Sequence, residues 1–77
     1  MAKARPRFKE MEDLTRTQAE ALIREANLGD ENTVIAVDYF IRRVPQIDIA
    51  FAIGLDRDTV ADRLRWIEKK LKRIISA

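Results

Sequence analysis

The sequence predicts an all-α fold: a compact bundle of about four helices that ends in a long one. Three observations predict it. Apolar residues recur at intervals of three and four, and nothing alternates with period two over more than a few residues. The two glycines, Gly29 and Gly54, each follow such a run and stand within two residues of an aspartate. That is the order of a helix stop and a helix start. Finally, a chain of 77 residues makes one domain. A domain of that size buries only roughly 60% of its unfolded surface, so its stability should be modest.

Residues 1–13 read as a flexible basic arm. They include Lys3, Arg5, Arg7 and Lys9, have no hydrophobic period and are interrupted by Pro6. The folded domain is then residues 14–77. Its first helix opens at Leu14-Thr15, where Thr15 and Gln18 fit a capping box and Leu14 can staple onto Ala19. Ala19, Leu22, Ile23 and Ala26 form the inner face, and Gly29 is placed for a left-handed stop. Asp30 should cap the second helix, with Glu31 favouring its positive end. Val34, Ile35, Val37, Tyr39, Phe40, Ile41 and Val44 lie on more than one face, which predicts the central helix of the bundle. Arg42 and Arg43 fall in its last turn, and Pro45 ends it.

A short third helix, residues 46–53, turns Ile49, Ala50 and Ile53 inward. Gly54 closes it, Leu55 plugs back into the core, and Asp56 caps a fourth helix running to about Ile75. The apolar positions of that helix are Val60, Leu64, Ile67, Leu71 and Ile74, at intervals of 4, 3, 4 and 3. They hold one continuous stripe.

Composition removes several classes of function. With no cysteine and no histidine, there is no disulfide, no thiolate metal site and no imidazole for proton transfer. Asp58 and Asp62 are two carboxylates at helical spacing, but no nucleophile, base and oxyanion donor converge. An enzyme, a cofactor and a small-molecule substrate are therefore not expected. No apolar run is long enough to span a membrane, and the basic start lacks the apolar segment of a secretory signal. The expected location is the cytoplasm.

The net charge of +2 conceals a segregation. Residues 1–9 carry four cations and no acid, residues 10–55 four arginines against nine acids, and residues 56–77 seven cations against four acids. Positive charge sits at both ends of an acidic middle, a layout compatible with binding a polyanion by one surface.

The third and fourth helices have what a helix-turn-helix needs. Ala50 is small where the helices meet, Gly54 tolerates positive φ, Leu55 pins the turn, and Val60 is branched and inward. The second helix of such a hairpin projects into the major groove. Its outward positions are then Arg57, Asp58, Thr59, Ala61, Asp62 and Arg65. Arginine can bond the guanine edge, aspartate can accept from cytosine, and threonine can touch a thymine methyl or a phosphate. Lys69, Lys70, Lys72 and Arg73 lie farther along, for backbone phosphates. Arg63 sits nearer the inner flank, placed for a phosphate or for an acid of another helix. The candidate DNA-binding residues are Arg57, Asp58, Thr59, Asp62, Arg63, Arg65 and Lys69. Asp56, Asp58 and Asp62 would repel phosphates unless paired, which predicts sequence preference rather than indiscriminate binding.

The stretch "DIAFAIGLDRDTVADRLRWIEKKLKR" resembles the helix-turn-helix of region four of bacterial sigma factors, and small sigma-like regulators of phages and mobile elements. The resemblance is carried by Ile49-Ala50, Gly54-Leu55, Asp56, Thr59-Val60, Arg63-Leu64, Ile67 and Lys70-Leu71, in order. It covers about residues 30–73. It implies a sequence-specific double-stranded DNA-binding transcriptional regulator. Nothing in the sequence resembles region two, which melts the promoter, so a free-standing DNA-binding module is expected. The competing expectation is a protein-interaction module that docks on polymerase or another host protein. Trp66 and Phe51 bear on that choice: each is either a packing residue or an anchor for a partner. The terminal stripe Ile67, Leu71, Ile74 and Ile75 either packs on the first helix or is partly exposed as a homodimer seam, which would suit paired half-sites.

Overall fold

A computed structural model describes residues 9–76. The described residues form α1 (Lys9–Glu12), α2 (Arg16–Ala26), α3 (Asp30–Ala36), α4 (Gln46–Ile53) and α5 (Arg57–Ser76). A π-helical turn, Val37–Ile41, continues α3 without a break. α1 is a single turn, so the body of the molecule is the four-helix all-α bundle that the sequence predicts. Among the described residues, no helix is long and apolar enough to cross a membrane.

The expected arm, residues 1–13, lies mostly outside the described residues. Its described end is part of the fold: Met11 is 3% exposed and packs with the core. The folded body thus starts earlier than residue 14.

α2 starts as its capping box requires. The Thr15 hydroxyl accepts from the Gln18 N–H at 3.1 Å, and the Gln18 side-chain oxygen accepts from the Thr15 N–H at 2.9 Å. Ala19, Leu22, Ile23 and Ala26 are buried, as their spacing predicts. The end of α2 corrects one expectation. Asn27, not Gly29, adopts the left-handed conformation at the stop, with φ 53°. Asparagine tolerates this region better than most residues. Gly29 instead precedes α3 at φ 94°, and its carbonyl accepts the Thr33 N–H at 2.8 Å. Asp30 is therefore the first helical residue and not the cap. With Glu31 it places negative charge in the first turn, where the helix dipole favours it.

The second helix also ends differently from the expectation. Its regular part stops at Ala36, and the Arg42 N–H reaches the Val37 carbonyl at 3.0 Å, five residues back. The widened turn brings two sequence neighbours, Tyr39 and Phe40, into the core together, with their rings edge to face at 5.1 Å between centroids. Arg42 caps this turn, and Arg43 lies beyond it at φ 60°. Arg43 thus does not sit in the last helical turn. Pro45 takes the N-cap position of α4, and its carbonyl accepts from the Asp48 and Ile49 N–H groups.

α4 and α5 form a hairpin and pack on each other more extensively than any other pair. Gly54 closes α4 at φ 76°, and the N–H groups of Gly54 and Leu55 both donate to the Ala50 carbonyl. A Cβ at Gly54 would meet nothing within 4 Å, so φ and not space calls for glycine. α5 lies against α2, α3 and α4 through Val60, Leu64, Ile67 and Leu71, each fully buried. Ile74 is half-buried. The central position is shared by α5 and the α3–π segment, which also packs on α2, α4 and α5.

Candidate nucleic-acid interface

α5 starts from a local hydrogen bond. The Asp56 Oδ1 accepts the Thr59 N–H at 2.7 Å. Hydrogen bonds from Thr59, first from its side chain and then from its backbone, hold the Asp56 carboxyl below the ordinary carboxylate range. The helix that follows is anchored by its buried stripe, so its opposite face is fixed in orientation. Asp58, Asp62, Arg65 and Lys69 are spaced 4, 3 and 4 apart, and all are exposed. That spacing sets them in one row away from the core. Arg57 is exposed at the head of the helix.

The seven candidate residues separate into two groups. Arg57, Asp58, Asp62, Arg65 and Lys69 are exposed. Arg65 is engaged by Asp62 in an i,i+3 ion pair. Such an exposed pair contributes little to stability and opens readily toward a ligand. Thr59 and Arg63 are half-buried and belong to the flank beside α3. The Arg63 Nη1 donates to Glu31 Oε1 at 2.7 Å and to Asn32 Oδ1 at 3.0 Å. The Asn32 amide in turn donates to the Leu28 carbonyl at 3.3 Å. Of the two roles open to Arg63 in the sequence, the structure shows the pairing with an acid of another helix.

Glu31 and Asn32 were not legible as neighbours of α5, because they lie more than thirty residues away in the chain. Beyond Arg65, residues 69–73 carry Lys69, Lys70, Lys72 and Arg73 with no acid among them. Lys69, Lys72 and Arg73 are exposed. The Lys70 ammonium lies over the Trp66 ring, 5.1 Å from its centroid.

Trp66 is 45% exposed. With Asn32, Thr59, Asp62 and Arg63 it lines an open depression of about 220 Å³ between α3 and α5. A larger cleft, about 420 Å³, lies between α2 and α3, lined by residues including Ile23, Leu28, Asp30 and Val37. It contains none of the candidate residues. On α4, Phe51 is 90% exposed and Ile47, one turn earlier, 60%. Phe51 reads in the sequence more simply as a core residue, and its exposure corrects that: it lies off the inner face of α4, as the alternative reading of a partner-facing residue requires. Ile47 carries the same signal, being out of register with Ile49, Ala50 and Ile53. Among the described residues, no group of three or more acidic, histidine or cysteine side chains is gathered to hold a metal ion.

No family model matches the chain, and neither a curated protein nor a solved structure does.

Proposed function

We propose that the chain is a sequence-specific, double-stranded DNA-binding transcriptional regulator, with α4 and α5 acting as a helix-turn-helix. The single observation that carries the reading is the exposed row Asp58, Asp62, Arg65 and Lys69, headed by Arg57, on a helix whose other side is fully buried. A rigid helix with donors and acceptors along its outer face matches the major groove, where base edges offer both. Arg57 and Arg65 are the guanine-reading candidates, and Asp58 and Asp62 can accept from cytosine. Lys69, Lys72 and Arg73 then neutralise phosphates. Arg63 acts through α3: with its guanidinium held by Glu31 and Asn32, it fixes the rotation of α5 rather than donating a hydrogen bond to DNA. The resemblance to sigma region four supports the same reading.

Arg57→Glu with Arg65→Glu tests it. Both side chains are exposed, so the fold should survive, as an unchanged circular-dichroism melt would show. Binding to an operator selected from random duplexes should be lost. Wild-type affinity in the double variant would sink the assignment of α5.

A second reading is favoured by Ile47 and Phe51. Helix α4 contains no lysine or arginine, yet the first helix of a helix-turn-helix crosses the phosphate backbone. An apolar, cation-free face there suits a protein: polymerase, another host factor or a second copy. The two readings are compatible, since they use different faces.

A further inference from the structure

We propose that the depression between α3 and α5 is a site for the C5-methyl group of one thymine in the operator. The inference rests on the DNA-binding reading and adds to it a specific base and the residues that read it. The depression is lined by Thr59, Asp62, Arg63 and Trp66 of α5 and by Asn32 of α3. Two polar ends of this set are engaged within the protein: Arg63 is held by Glu31 and Asn32, and Asn32 by the Leu28 carbonyl. The Asp62 carboxylate, in an exposed pair with Arg65, lies at the edge toward the row. What remains to meet a ligand is mainly carbon: the Trp66 ring, the Thr59 methyl and the Arg63 stem. Lys70 lies over the indole and adds a positive charge at the rim.

Position and charge together select the occupant. The depression adjoins the exposed row of α5 at Asp62, and cations follow at Lys69, Lys70, Lys72 and Arg73. A polyanion is therefore the fitting neighbour, and its occupant must bring an apolar group. In the major groove the C5-methyl of thymine is that group, and it distinguishes thymine from every other standard base. A hollow of about 220 Å³ takes the methyl and the adjoining base edge, displacing water that apolar walls hold poorly. Arg63 takes part through its carbon atoms. With its guanidinium tied down, it offers a stem and not a guanine-seeking fork.

The test uses the full chain and the operator selected from random duplexes. Each thymine is replaced in turn by uracil, which deletes only the methyl. Removing one buried methyl should weaken binding roughly fourfold at a single position and little elsewhere. In Trp66→Ala and in Thr59→Ser, that position should no longer distinguish thymine from uracil. Trp66 is nearly half exposed and serine keeps the hydroxyl, so both variants should fold. A specific operator whose uracil scan is flat would overturn the methyl site alone, leaving the depression to an apolar side chain of a protein partner. Thymine preference that persists unchanged in Trp66→Ala would overturn the assignment to these residues. Enrichment of no motif at all would overturn both this inference and the DNA-binding reading.

Discussion

Arg43 holds a left-handed backbone, φ 60°, at the exit from the π turn. For an L-residue this conformation crowds Cβ against the next carbonyl, at a cost of about 1–2 kcal/mol. Glycine has no Cβ to crowd, but its unfolded chain is freer, which offsets part of the gain. Arg43→Gly should therefore melt at the wild-type temperature or slightly above. Arg43→Val, branched at Cβ, should melt lower, by the equivalent of about 1–2 kcal/mol. Thermal denaturation of the two variants side by side checks the contrast. Nothing in the sequence marked this position: arginine has no preference for positive φ, and the segment reads as an unbroken helix up to Pro45.

Asp56 sets a pH dependence. Its carboxyl titrates lower in the folded chain than in the unfolded one, because only the folded chain supplies the Thr59 hydrogen bonds. The stability it contributes is thus present above the unfolded carboxylate pKa and is lost as pH falls through the lower folded value. Asp56→Asn keeps a capping side chain without the charge. Its melting temperature should fall less between neutral and acid pH than that of the wild type. A parallel acid fall in both proteins would remove Asp56 from the account.

At the scale of elements, local chemistry was legible and long-range chemistry was not. The capping box of α2, the left-handed Gly54 and the stripe of α5 are each set by residues within a few positions of one another. The swap of roles between Asn27 and Gly29 was not, because both tolerate positive φ and spacing alone does not rank them. The π turn escaped for a related reason: Tyr39 and Phe40 read as two faces of one helix until the core takes both. In the candidate interface, the exposed row of α5 followed directly from its stripe. The hold of α3 on Arg63 needed the fold.

The stripe also makes the sharpest prediction at this scale. Val60 is fully buried against the other helices. Val60→Asp would place an unpaired carboxylate there and should leave the chain unfolded at room temperature. Leu64→Ala, at a site equally buried, should keep the fold but lose about 2–5 kcal/mol. Urea titrations of the two variants separate the outcomes, and an unchanged midpoint for Val60→Asp would refute the inward stripe.

At the scale of the whole molecule, the described residues span 33 × 29 × 18 Å. With helices about 10 Å across, the short dimension is roughly two helices deep. The 20 residues of α5 run for about 30 Å, close to the longest dimension. On the DNA-binding reading its first half meets base edges while its cationic second half meets the phosphate backbone. Of the nine acids in residues 10–55, four lie on α2 and α3, and one of these, Glu31, pairs with Arg63 on the flank of α5. The sequence adds Lys3, Arg5 and Arg7 ahead of the described residues. Deleting residues 1–8 should weaken operator binding and flatten its dependence on salt. Each lost phosphate contact reduces the log–log slope by about 0.9. Affinity measured across a salt series reads this directly, and an unchanged slope would exclude these residues from phosphate contact.

Trp66 is the sole tryptophan of the chain, and it stands on the flank of α5 that lines the depression. The protein therefore carries a built-in optical reporter at one defined place. Indole emission shifts with local polarity, and here no second tryptophan dilutes the signal. On binding, the wavelength and quenching of that emission give the occupancy of this flank in real time, on the unlabelled native chain. A ligand seated on Ile47 and Phe51 instead would leave the signal largely unchanged, so one cuvette distinguishes the two faces.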